Sequence, residues 1–548
     1  MIPVRFGLAV ESLASMSLIS LQFVLFFAAV YAAYYAVGHA FPARQWWVLL
    51  AANLVFYLLA GRWQALGFVL VVAGVTWKAA QVMAGIDQEA KAARKATRDR
   101  KERKAIKAAS VKRKRVLLVS TLVITLGLLG YLKYWNVLLY NVGLAASTHS
   151  LGILLPLGIS FYTFQSIMYL VDIYNEKYAP QSSFLRYLTF VSYFPQMVQG
   201  PINRYNELAP QLFAPRRVDL DQTRRGLWLA WYGAFKKLVI ANVLAGTVQT
   251  IFGSVNVAIP GSAVVLGIVT YSIQMYADFS GGIDIVRGVS EMLGIEMALN
   301  FKQPYLSRSL SEFWQRWHMS LGVLMKDYVF YPLALLKPMQ NLGRWGQKKL
   351  GRHVGRTLPA CVANIVVFAL VGLWHGAEWH YLIWGALNGL IIAASDLLQP
   401  VFKRIKELLH VREESLPYRL FGILRTFVVV CFVRYFDALS DPAQSLICLR
   451  NTFCNFMPVP YRAGLVWLGV PGAELFGLSR LAMAGCAVVL VVSLCEERGI
   501  DVRGWLMARR GVCGWLVRVG TLALMATLMV LSLRYALGGA NEFAYANF

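Results

Sequence analysis

Long apolar windows repeat along almost the whole chain, and they constrain its fold more than any other feature. Most are long enough to cross a hydrocarbon core of about 30 Å as an α-helix. A composition of 58% hydrophobic and 15% charged residues is not that of a soluble globular protein. We therefore predict an all-α polytopic membrane protein with about ten to twelve transmembrane helices. The clearest windows lie near residues 15–38, 45–61, 64–84, 116–135, 227–252, 262–277, 360–375, 380–396, 419–437, 479–494 and 516–537.

Positive charge is concentrated in two short segments of a chain whose net charge is +26. Residues 87–115 carry thirteen Lys or Arg against four acids, and residues 337–356 carry six and no acid. The positive-inside rule predicts that both segments face the cytoplasm. We interpret residues 87–115 as a loop that sets orientation, with binding to anionic lipid headgroups or to an acidic carrier protein as alternatives. Nucleic acid is not expected as a partner, because the run has no interleaved aromatic residues and adjoins two spans.

The remaining organisation follows from where polar residues interrupt the apolar windows. We divide the chain into N-terminal transmembrane helices (1–86), the basic loop (87–115), a core that carries most of the unusual polar residues (116–400) and plain C-terminal transmembrane helices (401–548). Within the core, Leu155–Tyr174 and Phe190–Tyr205 are too short, or too interrupted by Pro and Gly, to span simply. Such segments predict re-entrant structure around an internal chamber, because non-helical backbone at membrane depth must be buried in protein or line a wet cavity.

The segment Ser307–Leu333 predicts an amphipathic helix that lies along the membrane or dips into a cavity. Ser309 and Glu312 have the spacing of a capping box, so we expect a helix to begin there. Trp317 belongs to the apolar stripe of this helix, and Arg316 adds a charge beside it. Its polar face would carry Ser311, Trp314 and His318. The alternative is a capped interfacial helix whose histidine only hydrogen-bonds a neighbouring residue.

The stretch "ALVGLWHGAEWHYLIWG" (residues 369–385) carries two histidines in an apolar span. A polar side chain there costs free energy unless it has a partner or a function. A helix through residues 359–375 rises about 24 Å, which carries His375 past the membrane midplane. Its imidazole can take a proton from a hydroxyl, with Trp374 excluding water. The alternative is a core histidine bonded to a main-chain carbonyl. His380 follows near the end of the span and is interpreted as a loop or supporting residue.

Two further polar groups fit the same chamber. "YADFSGGIDIVRG" (residues 276–288) carries Asp278 and Asp284 around a Ser-Gly-Gly break, which we predict to end a span. Asp278 could orient a histidine or satisfy the helix terminus. Lys236 and Lys237 lie inside the apolar run "GAFKKLVIAN", where we expect them to snorkel to the membrane surface rather than to act chemically.

Several of these stretches together resemble the membrane-bound O-acyltransferase (MBOAT) family, in its bacterial alginate O-acetyltransferase-like branch. They are "FPQMVQGPI", "GAFKK", "YADFSGGID", "NFKQPYLSRSLSEFWQRWHMSLGVLMKDYVFYPL" and "GLWHGAEW", and they span about residues 151–390. The resemblance implies a multi-helix fold around a central funnel, with His375 as general base and His318 as a second catalytic or positioning group. The predicted substrate-contacting residues are Trp314, Trp317, Trp374, Ser311, Arg316 and Asp278. Departures occur at Gly282 and in "ALLKPMQNLG" after "YPL", and neither affects a histidine.

The resemblance also implies a reaction. Such proteins take an acyl group from a cytoplasmic thioester donor, here acetyl-CoA or an acyl carrier protein, and pass it to a hydroxyl. The acceptor would be a cell-surface polysaccharide, peptidoglycan or a partner protein. The implied setting is a bacterial cytoplasmic membrane, with an extracytoplasmic SGNH-type, esterase-like partner. No bound cofactor and no metal are expected.

Two other classes of function remain open from the sequence. A proton-coupled transporter or exporter also uses buried His, Asp and Lys, although the inverted repeats typical of many transporters are not evident here. A membrane scaffold that recruits a soluble transferase would tolerate the loss of both histidines.

Overall fold

The computed structural model describes residues 16–60, 63–144, 156, 158–457, 472–509 and 511–533. Within these ranges the regular elements are helices, and the β pairing is limited to one isolated antiparallel bridge between Phe301 and Trp317. The predicted all-α class is confirmed. Every backbone polar group of a membrane-spanning segment needs an internal partner, and helices supply one without a second segment.

The described helices include eight that are long and apolar enough to cross a membrane, or up to ten if each of two bent helix pairs is one span. This makes the chain a multi-pass membrane protein. Eight is below the predicted ten to twelve spans, and ten reaches the lower bound of that range. The bent pairs are residues 319–349 and 379–408, with bends of 66° and 56°. The eight are Leu21–Ala40, Pro42–Ala60, Leu66–Ala96, Arg100–Tyr140, Leu220–Gly253, Arg352–His375, Leu416–Ala438 and Gly511–Leu533.

The chain divides into two compact units, and two of the three boundaries between them fall within helices. Unit 1 comprises Met1–Ala230 and Val286–Ala298, and unit 2 comprises Trp231–Ile285 and Leu299–Phe548. The helices that begin in unit 1 are α1 (Leu21–Ala40), α2 (Trp46–Ala60), α3 (Trp63–Ala96), α4 (Arg100–Asn141), α5 (Ile159–Tyr174), α6 (Phe184–Val191), α7 (Phe194–Gln199), α8 (Tyr205–Phe213) and α9 (Leu220–Phe235).

Unit 2 holds the remaining helices. A π-helical segment, Lys236–Ala241, continues α9 without a break. The helices that begin in unit 2 are α10 (Asn242–Gly253), α11 (Gly261–Met292), α12 (Leu310–Arg316), α13 (Met319–Met325), α14 (Tyr331–Ala334), α15 (Lys337–Lys349), α16 (Arg352–His375), α17 (Trp379–Leu397), α18 (Gln399–Leu408), α19 (Leu416–Ala438), α20 (Pro442–Cys454), α21 (Gly472–Glu497), α22 (Val502–Ala508) and α23 (Gly511–Leu533).

The basic segment 87–115 of unit 1 is not a loop. It forms the end of α3 and the start of α4, with only residues 97–99 between them. Ala, Lys, Arg and Glu are strong helix formers, and Asp99 caps α4 by accepting a hydrogen bond from the Lys101 amide at 2.9 Å. Lys114 is buried at the base of this hairpin, with its ammonium 2.7 Å from Asp87.

The two segments predicted to be re-entrant also lie in unit 1. In Leu155–Tyr174 the helix α5 takes up Ile159–Tyr174, and residues 155 and 157 lie outside the described part. Phe190–Tyr205 holds the end of α6, the short helix α7 and non-helical backbone, most of it buried. With 16 and 6 residues, α5 and α7 are both shorter than the roughly 20 residues that a simple span needs.

Unit 2 contains two helices that contact each other through glycines. A Cβ on Gly372 of α16 would lie 2.5 Å from the Tyr381 carbonyl oxygen of α17, and one on Gly385 would meet the Phe368 carbonyl. Small residues at such crossings let backbones approach closely, which is how membrane helices gain packing without a hydrophobic driving force. This crossing fixes the end of α16, where His375 lies.

The polar groups of α9 and α11 differ from their sequence-based predictions. The Ser-Gly-Gly sequence does not end a span, because α11 continues through it from Gly261 to Met292. Lys236 and Lys237 do not snorkel either. Both are buried in the π-helical segment and point toward α11, where their ammonium groups lie 2.7 Å from Asp284 and 2.6 Å from Asp278. The π-helical turn widens the helix and aims two consecutive side chains at one neighbour.

Candidate active site

His375 is the last residue of α16, and Gly376 follows it in extended backbone. The imidazole is half-buried among aromatic rings of α16 and α17. Its centroid lies 4.7 Å from that of Trp374, 5.2 Å from that of Trp384 and 5.8 Å from that of Tyr381, with the tyrosine ring nearly parallel. A helix end surrounded by flat side chains therefore leaves part of the ring accessible.

His318 lies in a break between two short helices, so the prediction of one continuous helix face was wrong. α12 ends at Arg316, and His318 adopts left-handed backbone with φ of 49° before α13 begins. The break is fixed by backbone pairing with residues 300–302, in which the Met319 amide donates to the Asn300 carbonyl at 3.0 Å. A non-glycine residue at positive φ carries strain that surrounding structure must hold. The capping box was confirmed in part: the Ser309 hydroxyl accepts from the Glu312 amide at 3.1 Å.

Both imidazoles line one cavity of about 740 Å³ in unit 2. Three more predicted site residues line it, namely Ser311, Trp314 and Trp317. The structure therefore brings together five of the eight residues singled out from the sequence. The other three, Trp374, Arg316 and Asp278, are not among its described lining residues.

Trp374 still contacts both histidines. Its side chain is buried, and its ring centroid lies 5.9 Å from that of His318 and 4.7 Å from that of His375. The Phe279 ring also packs edge-on against His318, with centroids 4.9 Å apart. The position of the His318 ring is thus set by packing against two aromatic side chains.

Trp314 is held in the cavity wall by a hydrogen bond. Its indole Nε1–H donates to the Asn388 Oδ1 at 3.0 Å, and the Asn388 amide nitrogen donates to the Trp384 carbonyl at 2.9 Å. Because both polar ends of this buried asparagine are engaged, the indole has one orientation. Sequence reasoning missed Asn388, which lies in the middle of the apolar window of α17.

Arg316 and Asp278 are engaged in ion pairs. The Arg316 guanidinium lies 2.7 Å from Glu497 and 2.7 Å from Glu312. The hydrogen-bonded carboxylate of Glu497, with Glu312 beside it, raises the pKa of Arg316 above its ordinary value. Asp278 is buried against Lys237. A role of either residue in binding substrate remains a prediction.

The cavity also has lining residues that sequence reasoning missed. Arg434 and Asp437, both on α19, line it together with the histidines. The C-terminal block had been expected to hold plain membrane helices. The signal was present, since an arginine and an aspartate three residues apart in an apolar window are unusual in a membrane span.

His380 differs from the other two histidines. It lies in the first turn of α17, not in a loop, and its Nδ1 is 2.9 Å from the Phe436 carbonyl oxygen. A carbonyl only accepts, so Nδ1 carries the proton. The carbonyl-bonded core histidine considered from the sequence is therefore found at His380. In the described ranges no cluster of three or more His, Cys, Asp or Glu is arranged to hold a metal ion.

Two imidazoles in a shared cavity, enclosed by helices of a multi-pass membrane protein, are suited to moving protons at a bound solute. This defines the class as a membrane protein with an internal, histidine-containing reaction or transport chamber. The family model of the membrane-bound O-acyltransferases (MBOAT) matches residues 180–343 and 348–417 of this chain. Both histidines lie within the matched residues.

Curated relatives agree with this assignment. The chain is 32% identical to the probable alginate O-acetylase of Pseudomonas aeruginosa over 364 residues, covering 64% of this chain and 61% of that protein. It is 32% identical to the peptidoglycan O-acetyltransferase of Helicobacter pylori over 51% of this chain and 55% of that protein. It is 28% identical to the teichoic acid D-alanyltransferase of Bacillus subtilis over 51% of this chain and 67% of that protein. The chain spans about half to three fifths of the length of the alginate O-acetylases that it matches.

Proposed function

We propose that this protein is a membrane acyltransferase, specifically an O-acetyltransferase, that modifies a cell-surface polymer. The observation that carries the proposal is the convergence of His318 and His375 on one cavity, in the part of the chain that matches the family. Two relatives are named as acetylating enzymes and one as an alanyltransferase, so the shared chemistry is transfer of an acyl group.

The reaction would use His375 as a general base. The acceptor hydroxyl oxygen attacks the acyl carbonyl carbon, and His375 takes the hydroxyl proton as the new C–O bond forms. The C–S bond then breaks, and the proton passes to the departing thiolate. His318 would position the acyl group or share the proton, while Trp314 and Trp317 limit the entry of water.

The donor would be acetyl-CoA or an acylated carrier protein on the cytoplasmic side of a bacterial inner membrane. Both donors are acidic, and the helical hairpin of α3 and α4 carries the densest positive charge of the chain. The acceptor would be a polysaccharide, peptidoglycan or teichoic acid outside the membrane. An SGNH-type extracytoplasmic partner would complete transfer where the polymer does not reach the cavity itself.

Replacing the proposed base tests this function. His375→Gln keeps a polar side chain of similar reach but cannot act as a base near neutral pH. We expect acetyl transfer from labelled acetyl-CoA or acetyl-carrier protein in membrane vesicles, and O-acetyl content of surface polymer in cells, to fall by about 10² to 10⁴-fold. The matched control is His39→Gln, which changes an exposed histidine of α1. Unchanged transfer by a folded His375→Gln protein would contradict the proposal.

A proton-coupled exporter is the second candidate, and the buried Lys–Asp pairs of α9 and α11 favour it, because such pairs also build proton relays. It predicts proton-dependent movement of a polymer precursor by vesicles that contain no acyl donor. Donor-independent transport that survives His375→Gln would support the exporter and not the transferase.

A further inference from the structure

Arg434 is a charged side chain inside a candidate membrane span, in the wall of the reaction cavity. Its side chain is buried, and its helix α19 is one of the eight long apolar helices. It lies outside residues 180–343 and 348–417, which the family model matches. Burying an arginine in such a place is costly, so the side chain is expected to have a partner or a task.

The partners in the described structure do not satisfy the whole guanidinium. Its Nη1 donates to the Asp437 carboxylate at 3.3 Å, a long ion pair. Its Nε–H is buried and has no hydrogen-bond partner among the described residues. A guanidinium has five N–H donors in a fixed planar fork, and an unsatisfied one in a low-dielectric site is costly.

Its position is nevertheless well fixed. The guanidinium carbon lies 4.7 Å from the centre of the Trp317 ring, and the guanidinium also hydrogen-bonds the Tyr305 side chain, which leaves the Nε–H among its unsatisfied donors. The end of α19 is anchored by Tyr271, whose hydroxyl donates to the Asp437 carbonyl at 3.4 Å, and by the bond between His380 and Phe436. A rigid cation with spare donors in a cavity is a preorganised site for negative charge.

We propose that the Arg434 guanidinium binds a negatively charged substrate oxygen in the cavity, with Asp437 and Trp317 holding the guanidinium in place. This proposal rests on the proposed acyl transfer. The oxygen comes from one of two sources with the same chemistry. It is the acyl carbonyl oxygen, which becomes an oxyanion when the hydroxyl oxygen adds and loses that charge when the thiolate leaves, or it is a carboxylate of an acidic acceptor sugar.

The experiment uses the full-length protein in lipid nanodiscs with labelled acetyl-CoA or acetyl-carrier protein. Transfer by wild type and Arg434→Met is measured to a neutral oligosaccharide and to a uronate oligosaccharide. If the oxygen is the acyl carbonyl, Arg434→Met lowers kcat about 100-fold or more for both acceptors, with little change in acceptor KM. If it is an acceptor carboxylate, only the uronate is affected, chiefly through KM. Arg434→Lys keeps the charge and recovers part of either loss.

Two further variants separate binding from folding. Arg434→Met/Asp437→Leu removes both charges and leaves an apolar pair of similar size, so it folds if the single variant does not. The proposal predicts that this double variant has wild-type thermal stability and still loses transfer. Arg419→Met, at an exposed arginine of the same helix, is the matched control and retains transfer.

The outcomes separate this proposal from the proposed function. If Arg434→Met transfers within twofold of the wild-type rate to both acceptors, the assignment of Arg434 is overturned and the proposed function is not affected. Absence of any thioester-dependent transfer by wild type contradicts the proposed function, and this assignment with it. Full recovery of transfer in the double variant means that the pair is structural and also overturns the assignment.

Discussion

The cavity that both histidines line and the interface between the π-helical segment and α11 both place polar side chains among apolar helices of unit 2, but in opposite ways. At the π-helical segment each ammonium group lies within about one hydrogen-bond length of a carboxylate, with 2.7 Å between Lys236 and Asp284. In the cavity, His318 and His375 lie among aromatic rings and border open volume. Residue type alone does not distinguish the two regions.

The difference lies in what each side chain can still do. A permanently paired charge offsets the desolvation of its partner and leaves neither group ready for a substrate. A general base must instead reach a proton that arrives with the substrate, so it needs access to a cavity. The comparison predicts that damage to the π-helical segment appears mainly as lost stability, and damage to the cavity mainly as lost rate.

The largest effect is expected from breaking one ion pair at the π-helical segment. Lys236→Met leaves the Asp284 carboxylate without its cation, which costs about 3 to 5 kcal/mol for a buried pair. We expect a marked fall in the thermal unfolding midpoint of the detergent-solubilised protein, with near-normal transfer per folded molecule at low temperature.

The companion variant Lys236→Met/Asp284→Leu sharpens this expectation. Removing both charges restores most of the lost stability, because well-packed apolar residues can replace a buried ion pair at little cost. If Lys236→Met folds normally but does not transfer the acyl group, the Lys236–Asp284 pair takes part in the reaction, and the proposed difference between the two regions is wrong.

A smaller effect, confined to rate, is expected at His318. Asparagine tolerates left-handed backbone better than most residues, so His318→Asn keeps the helix break and removes the imidazole. We expect transfer to fall about 100-fold, as for loss of a group that moves or orients a proton, with little change in unfolding midpoint.

His410→Asn supplies the matched control for the backbone. His410 is exposed and has the same φ of 49°, so its replacement tests the cost of asparagine at such a position without touching the cavity. A folded His318→Asn protein that transfers at the wild-type rate would make His318 a packing residue and leave His375 alone in the proposed mechanism.

The sequence predicted the cavity histidines better than the backbone that presents them. Apolar surroundings and neighbouring tryptophans identified His375 and His318. An imidazole in such surroundings costs free energy unless it has a partner or a function, so it stands out in the sequence. Helical periodicity could not predict the break at His318. That break depends on pairing with Asn300 and Phe301, a tertiary contact that a 3.6-residue repeat does not encode.

The errors at the π-helical segment and on α19 have different origins. Ser-Gly-Gly was interpreted as a helix end, but glycines in membrane helices also permit close packing, and α11 continues through them. The lysines were expected to snorkel because that is the usual behaviour of lysine in an apolar run. Their acidic partners lie more than 40 positions later in the chain, so local sequence does not reveal the pairing. Arg434 and Asp437 lie outside the segments that carry the family resemblance, so only their charge within an apolar window distinguishes them in the sequence.

The smallest effect is expected in the cavity wall, at Asn388. Asn388→Leu removes the acceptor for the Trp314 indole N–H and leaves a buried donor unsatisfied, which costs about 1 to 3 kcal/mol. Asn388 does not line the cavity, so it acts only through the orientation of the indole. If Trp314 shapes the substrate pocket, KM for the acyl donor should rise more than kcat falls, and Asn388→Asp, which keeps the accepting oxygen, should recover most of the change. If Asn388→Leu instead raises KM and lowers kcat by the same factor, and Asn388→Asp restores neither, Trp314 contributes only to packing. The residues that contact substrate would then be the two histidines and residues of α19.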